Sequence, residues 1–246
     1  KLISDHMVLQ QGQPVRIWGY AEPGEQVRVS LAGQERGARA NDQGYWELFL
    51  PPLAPGGPHT MVVTGENTIR VNDVLVGEVW VASGQSNMEW PLERANNAEQ
   101  EISAANFPEI RLFRVPHTTS DKPLADVDAD WQPCSPQTAR SFSAVAYFFA
   151  RHLHQHLKVP VGMIQSSWGG TPAQAWTSLP ALRSDVGLHF YLDRWDRVLD
   201  DYAAAYARYQ RDLKQWEQKA REAQSRGQQP PPKPRLPLGP GHPHAP

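Results

Sequence analysis

Two turns rich in serine and glycine carry the residues of this sequence whose types and spacing could do chemistry. In the first, an apolar run over 74–82 ends in SGQSN at 83–87, which predicts a buried strand that runs into a tight turn. A small residue at the end of such a strand is exposed at the mouth of an α/β sheet. Ser86 is therefore a candidate nucleophile, provided that another group activates it. Taken alone, the motif is more often a serine-rich turn without chemistry.

The second turn has the same construction. A short apolar run over 159–164 ends in QSSWGGT at 165–171, and Pro172 then suits the first turn of a helix. Gly169 and Gly170 can present the bare backbone N–H groups from which an oxyanion hole is built. A strand, a glycine turn and a capped helix without chemistry explain this segment equally well by itself.

Together, the segments GQSNMEWPL and QSSWGGTPAQAW resemble the two N-terminal signature blocks of the sialate O-acetylesterase family, which are SGNH-type carbohydrate esterases. The opening DHMVLQQGQPVRIWGYAEPGEQV and the stretch 142–162 are similar to the same enzymes, so the resemblance extends from about residue 2 to about residue 180. It implies a serine carbohydrate O-acetylesterase that removes acetyl groups from a sugar through an acetyl-enzyme. The sugar could be sialic acid or a plant polysaccharide such as xylan or xyloglucan.

The resemblance also implies roles for individual residues. Ser86 is the nucleophile, and its own N–H helps to form the oxyanion hole. Gly169 or Gly170 supplies a second N–H, and the sequence does not choose between them. Trp90 and Trp168 flank the two turns and could form walls for a sugar ring, although core packing is equally compatible with each.

Other chemistry has weaker support. Glu89 could orient the site, but a solvated carboxylate at a helix start is the commoner explanation. No residues have the spacing of a metal site, and no cofactor is expected. Cys134 is the single cysteine, which excludes a disulfide within the chain.

The family also uses an asparagine donor and a histidine base from later blocks, the base lying in an Asp-x-x-His motif. No aspartate stands three residues before any of the nine histidines of this sequence. We therefore expect these residues to be the N-terminal part of an esterase, with the C-terminal half of the same protein, continuous or cleaved, as the partner that completes the site. A non-catalytic carbohydrate-binding or scaffold protein that retains the fold is the alternative.

The pattern of elements predicts an α/β fold in two domains. Residues 1–73 show short alternating runs separated by turn residues, which is typical of a small β-sandwich. Residues 74–246 are expected to form the N-terminal part of an SGNH-like domain, with a parallel sheet, flanking helices and an incomplete set of strands. Strands are predicted over 74–82, 109–115 and 159–164, and helices over 93–105, 142–157 and 172–183.

The C-terminal quarter has a different composition. Apolar residues recur at steps of three and four over 188–226, which predicts one long amphipathic helix or two helices, interpreted as an insertion in the esterase domain. Residues 227–246 contain eight prolines in twenty positions and are expected to form an extended, exposed tail.

Charge and hydropathy limit the partners. The formal net charge of −2 provides no basic surface for nucleic acid. No apolar run reaches the ~18–20 residues that a membrane-spanning helix needs, so no membrane partner is expected. An acetylated carbohydrate is the expected small-molecule partner. We expect a secreted or periplasmic protein whose signal peptide has been removed.

Overall fold

The structure, a computed structural model, describes residues 1–120 and 122–245. It divides into two compact units. The first comprises Lys1–His117 and Leu124–Gly170, and the second comprises Thr118–Pro123 and Thr171–Pro246. Both chemically interesting turns, up to Gly170, belong to the first unit.

The strands described in the first unit are β1 (Val8–Gln10), β2 (Val15–Tyr20), β3 (Gln26–Leu31), β4 (Gln34–Arg39), β5 (Tyr45–Leu50), β6 (Gly56–Thr64), β7 (Thr68–Gly84), β8 (Phe107–Arg114), β9 (Trp131–Cys134) and β10 (Val161–Ser167). The helices are α1 (Ser86–Glu89), α2 (Ala98–Ser103), α3 (Pro136–Arg140) and α4 (Ala144–Leu157), with a 3₁₀ turn at Leu92–Arg94.

Strand β7 connects the two halves of the main sheet. The strand order is β4-β3-β6-β7-β10-β8-β9, with β1 also paired to β7, while β2 and β5 form a separate two-stranded sheet. The first part of β7 is antiparallel to β6, and its last part is parallel to β10. The predicted boundary at 73/74 falls inside this continuous strand of 17 residues. The division into a β-sandwich over 1–73 and an esterase domain over 74–246 stays a prediction.

The parallel part of the sheet confirms the α/β class. β1 and β10 run parallel to β7, and β8 runs parallel to β10, whereas β9 closes this side as an antiparallel strand. Helix α4 packs against β8 and β10 through buried residues such as Tyr147, Ile110 and Met163. The SGNH topology itself stays a prediction.

Two predicted helices are interrupted. The segment 93–105 forms the 3₁₀ turn and then α2, because Asn97 between them has a left-handed φ of 56°. The segment 172–183 forms a 3₁₀ turn at Ala173–Trp176 and then helix α5 (Leu179–Ser184). Pro180 lies in the first turn of α5 and has no N–H with which to continue a preceding helix.

The second unit is dominated by one long helix, α6 (His189–Ser225), over the range that the periodicity predicts. The proline-rich tail contains no helix or strand in its described residues, but it lies against α6. Trp216 Nε1 donates a hydrogen bond to the carbonyl oxygen of Pro231 at 2.7 Å. The ring of Tyr202 lies so close to Gly239 that no side chain fits there. No helix in the described part of the chain has the length and apolar composition needed to cross a membrane.

A buried ion pair joins the two halves of the main sheet. Arg111 in β8 is 4% exposed, and its guanidinium donates to both carboxylate oxygens of Asp73 in β7, at 2.7 and 3.1 Å. His6 Nδ1 lies 2.7 Å from the same carboxylate. The hydrogen bonds from Arg111 hold the pKa of Asp73 below its ordinary value, because they stabilise the ionised form.

Replacing Arg111 by methionine should therefore lower the free energy of unfolding at pH 7 by about 2–4 kcal/mol. The value lies below that of a fully buried pair because the Asp73 side chain remains 32% exposed. Since the folded pKa of Asp73 is depressed, the pair stabilises the fold above an unfolded pKa of about 3.9, and this contribution is lost as the pH falls through the folded pKa. Urea unfolding at several pH values should show the two proteins converging in acid.

The matched control is Arg140→Met, which removes an exposed pair with Glu99. It should change the free energy of unfolding by less than about 1 kcal/mol. An effect at Arg111 no larger than the effect at Arg140 would contradict the structural role of the buried pair.

Candidate active site

The carboxyl ends of β7 and β10 lie side by side, and both predicted turns begin there. Ser167 of β10 pairs with Gly84 of β7. The N–H of Trp168 then donates to the carbonyl oxygen of Gly84 at 3.0 Å. Gly84 has a φ of +144°, a conformation that favours glycine, and the chain leaves the sheet there. This pairing brings the turn after Gly84 against the turn after Ser167.

Ser86 begins helix α1, two residues after the end of β7, and is exposed. Its hydroxyl donates to the side-chain oxygen Oε1 of Gln85 at 2.7 Å. Its backbone N–H donates to the same oxygen at 3.0 Å. Both donors of Ser86 thus bind the side chain of the preceding residue. Ser86 lies at the mouth of the sheet, where the sequence predicts it.

Gly169 is the residue of the second turn that lies against Ser86. A Cβ atom on Gly169 would lie 3.3 Å from Ser86 Oγ and 2.7 Å from Oε2 of Glu89, so this space admits only glycine without a shift of Glu89. The N–H of Gly169 donates to Glu89 Oε2 at 2.5 Å. Gly169 is therefore in contact with both ends of the one-turn helix α1.

Gly170 requires glycine for a different reason. Its φ is +82°, and a Cβ there would meet no atom within 4 Å, so backbone conformation rather than space favours glycine. Its N–H makes no hydrogen bond to any residue that the structure describes. The two candidate oxyanion donors therefore differ: the N–H of Gly169 is bound to the carboxylate of Glu89, whereas the N–H of Gly170 is not.

A buried polar network holds the end of β10 in place. Gln165 is 1% exposed. Its Nε2 donates to Ser167 Oγ at 3.0 Å, and its Oε1 accepts from the N–H of Ser143 at 3.0 Å. Ser143 in turn caps α4 by accepting from the N–H of Ala146. Because these buried groups are paired, the network fixes the strand from which Gly169 projects.

Trp90 lies in an open cleft beside the predicted nucleophile. The cleft has a volume of ≈ 430 Å³, and its lining includes Ser86, Gly169 and Trp90 together with both acidic and basic side chains. Trp90 is 48% exposed, and its Nε1 donates to the carbonyl oxygen of Arg94 at 3.0 Å. An exposed indole in a cleft can contact a bound molecule, but its role as a sugar wall stays a prediction.

His117 belongs to this site and was missed by the sequence analysis. Its Nε2 lies 2.8 Å from Glu89 Oε1 and 3.1 Å from the carbonyl oxygen of Ser167. Its ring stacks on the indole of Trp168, with a centroid distance of 4.3 Å and an interplanar angle of 5°. No motif marks this histidine. The signal that could have found it is its position just after the predicted strand 109–115, whose carboxyl end lies at the same edge as the two turns.

Trp168, the second predicted sugar wall, is half-buried between this histidine and the end of β10. Its backbone is fixed by the hydrogen bond to Gly84, and its ring by the stacking on His117. The structure thus brings Ser86, Gly169 and Trp168 together at one edge of the sheet. Contact of Trp168 with a sugar stays a prediction.

Other sources of reactivity are limited. Burial raises the pKa of the Cys134 thiol to about 12, so this side chain remains a neutral core residue. Within residues 1–120 and 122–245, no histidine hydrogen-bonds to the hydroxyl of Ser86. The same residues contain no group of three or more His, Cys, Asp or Glu side chains that could hold a metal ion.

Comparison with known proteins identifies relatives of the chain. The chain is 36% identical over 203 residues to the sialate O-acetylesterase of Rattus norvegicus, and the match covers 74% of this chain and 38% of that protein. The chain is 38% identical over 205 residues to the sialate O-acetylesterase of Homo sapiens, and the match covers 74% of this chain and 39% of that protein. The chain thus spans about two fifths of the length of these curated relatives. No family model matches it.

A solved structure shares the fold. The crystal structure of a carbohydrate acetylesterase from Xanthomonas citri matches with a TM-score of 0.70 and 41% sequence identity, over 72% of this chain and 41% of that chain. The resemblance predicted from the two signature segments is confirmed by these relatives: the chain belongs to the sialate O-acetylesterase family.

Proposed function

We propose that the chain is the part of a serine carbohydrate O-acetylesterase that contains the nucleophile. One observation carries the proposal. The serine turn and the glycine turn follow neighbouring parallel strands and lie in contact: Ser86 Oγ is 3.3 Å from the position that a Cβ of Gly169 would occupy. Carboxyl ends of parallel strands are where α/β enzymes hold their ligands. The names of the relatives support an acetylated carbohydrate as the substrate class.

In the proposed reaction, Ser86 Oγ bonds to the carbonyl carbon of the acetyl group while a base removes the hydroxyl proton. The C–O bond to the sugar breaks, and the sugar oxygen takes up that proton, which leaves an acetyl-enzyme. Water, deprotonated by the same base, then attacks the acetyl-enzyme. Acetate leaves, and the proton returns to Ser86.

The oxyanion hole is proposed to combine the N–H of Ser86 with an N–H of the second turn. The exposed position of Ser86 at the mouth of the sheet supports the first donor. Gly169 and Gly170 remain the candidates for the second donor. Loss of one oxyanion donor typically costs ~10²–10³ in rate.

The base is proposed to come from the C-terminal half of the protein. Ser86 has no histidine partner among the described residues, and a serine without a base is a weak nucleophile. The curated relatives are more than twice the length that the chain spans. The family resemblance implies a histidine base and an asparagine donor in that further sequence.

The exposed edge of β7 supports the same proposal. Residues 80–84 of β7 pair only with β10 in the described sheet, so their other edge is open. Trp80 is 45% exposed and Val81 is 64% exposed, although both lie in a strand at the centre of the fold. Trp80 makes an edge contact with Phe149 of α4, which is also partly exposed. An open strand edge presents unpaired N–H and C=O groups, which form a template for pairing with another strand.

The substrate is proposed to bind in the ≈ 430 Å³ cleft that contains Ser86 and Trp90, a size within the range of small-molecule sites. Sialic acid, xylan and xyloglucan acetyl esters remain candidates. The second candidate function is a non-catalytic carbohydrate-binding protein. The observation that favours it is that no histidine among the described residues hydrogen-bonds to Ser86.

Replacing Ser86 by alanine should abolish acetate release from acetylated sugars and from p-nitrophenyl acetate in the native protein. Removal of the nucleophile should lower kcat by at least ~10⁴-fold. Stability should change little, because the side chain is exposed. Acetate assays and thermal unfolding measure the two effects. Wild-type turnover in the variant would refute the nucleophile, and a wild-type protein without esterase activity would favour the binding function.

Pairing of the β7 edge is tested by hydrogen exchange on the native protein. The amides of residues 80–84 that point away from β10 should be protected, because a strand of the C-terminal half covers them. The outward amides of β4, a terminal strand of the sheet, serve as the control and should exchange faster. Equally fast exchange at both edges would contradict the proposed completion of the sheet.

A further inference from the structure

One carboxylate connects the ends of three parallel strands. Glu89 lies in α1, just after β7. Its Oε2 accepts from the N–H of Gly169, after β10, at 2.5 Å. Its Oε1 lies 2.8 Å from Nε2 of His117, after β8. Both oxygens are therefore engaged, each by a donor from a different turn, and the side chain is only 25% exposed.

The position of His117 is in turn well determined. Its Nε2 lies within hydrogen-bond distance of two acceptors, Glu89 Oε1 and the carbonyl oxygen of Ser167. A nitrogen between two acceptors must carry the proton, so Nε2 is a donor here. The ring is also stacked on Trp168. His117 is thus arranged to hold the carboxylate of Glu89 rather than to accept the proton of Ser86 through Nε2.

Glu89 and Gly169 depend on each other sterically. A Cβ at position 169 would lie 2.7 Å from Glu89 Oε2, closer than any Cβ contact allows without a shift. The carboxylate can reach the backbone N–H only because residue 169 has no side chain. A second consequence is that the N–H of Gly169 is committed to Glu89, whereas that of Gly170 is not.

We propose that Glu89 is a positioning residue: its carboxylate, held by His117, fixes the spacing between the glycine turn and Ser86. The inference rests on the proposed esterase function. Glu89 does not touch the reacting atoms in this account. It acts by keeping the second turn at its spacing from Ser86, and a displacement of ~1 Å at such a site can cost ~10²-fold in rate.

The first test is the kinetics of two Glu89 variants of the native protein with p-nitrophenyl acetate. Glu89→Ala should lower kcat about 10–100-fold with little change in KM, because the transition state loses a positioned donor while substrate binding is retained. Glu89→Gln keeps an oxygen that accepts from the N–H of Gly169 but turns its NH2 group toward the Nε2–H of His117, so its kcat should lie between those of Glu89→Ala and wild type. A purely structural role would lower the melting temperature without this split between kcat and KM.

A double-mutant cycle tests the contact itself. Gly169→Ala should displace the Glu89 carboxylate and lower kcat to a similar extent. Combined with Glu89→Ala, it should cost less than the product of the two separate losses, because both changes break one contact. Glu66→Ala, in the exposed turn between β6 and β7, is the control and should leave kcat unchanged.

Three results would overturn the proposal: a normal kcat in Glu89→Ala, multiplicative losses in the cycle, or a Gln variant as slow as the Ala variant. If Glu89→Ala does not fold, the Gln variant and Gly169→Ala still decide the question. Ser86→Ala distinguishes a failure of the proposed esterase function from a failure of the proposed role of Glu89. Full activity of Ser86→Ala would refute the esterase site. An inactive Ser86→Ala variant together with a fully active Glu89→Ala variant would refute only the positioning role of Glu89.

Discussion

The parallel pairing of β7 with β10 is the constraint on which the site depends. Side chains alternate between the two faces of a sheet. If the pairing of β7 with β10 shifted by one residue, the side chains of the shifted strand would move to the opposite face and the two turns would separate. The pairing of Ser167 with Gly84 and the hydrogen bond from Trp168 to Gly84 extend the register to the last residue before each turn. The buried network around Gln165 fixes the same end of β10. Backbone register, rather than any side-chain contact of Ser86, thus places the serine beside the glycine turn.

The site is connected to the rest of the fold from both sides. Within the sheet, the Arg111–Asp73 pair joins β8 to β7 through a buried guanidinium. At the carboxyl ends of the strands, Glu89 joins the turns that follow β7, β8 and β10. Residues 80–84 of β7 pair only with β10 in the described sheet, so one edge of this part of the strand is open. The open edge is the feature on which the proposed completion of the sheet by a C-terminal half rests.

The sequence predicts the ends of β7 and β10 well, because an apolar run followed by serine and glycine is a local signal. It does not predict that β7 begins at Thr68, since 68–73 is polar and alternates as an antiparallel strand does. The helix predicted over 93–105 is interrupted by the left-handed backbone conformation of Asn97, which the spacing of apolar residues does not reveal. The partnership of Glu89 with His117 joins residues 28 positions apart in the chain, and only the three-dimensional arrangement of the strand ends reveals it.

The central claim is that this sheet edge makes Ser86 the reactive serine. The most direct measurement is labelling of the native protein with a serine-reactive phosphonate, followed by peptide mapping by mass spectrometry. The account predicts one modified residue, Ser86, with loss of esterase activity in proportion to labelling. Inactivation with Ser86 unmodified and the label on another residue would contradict it.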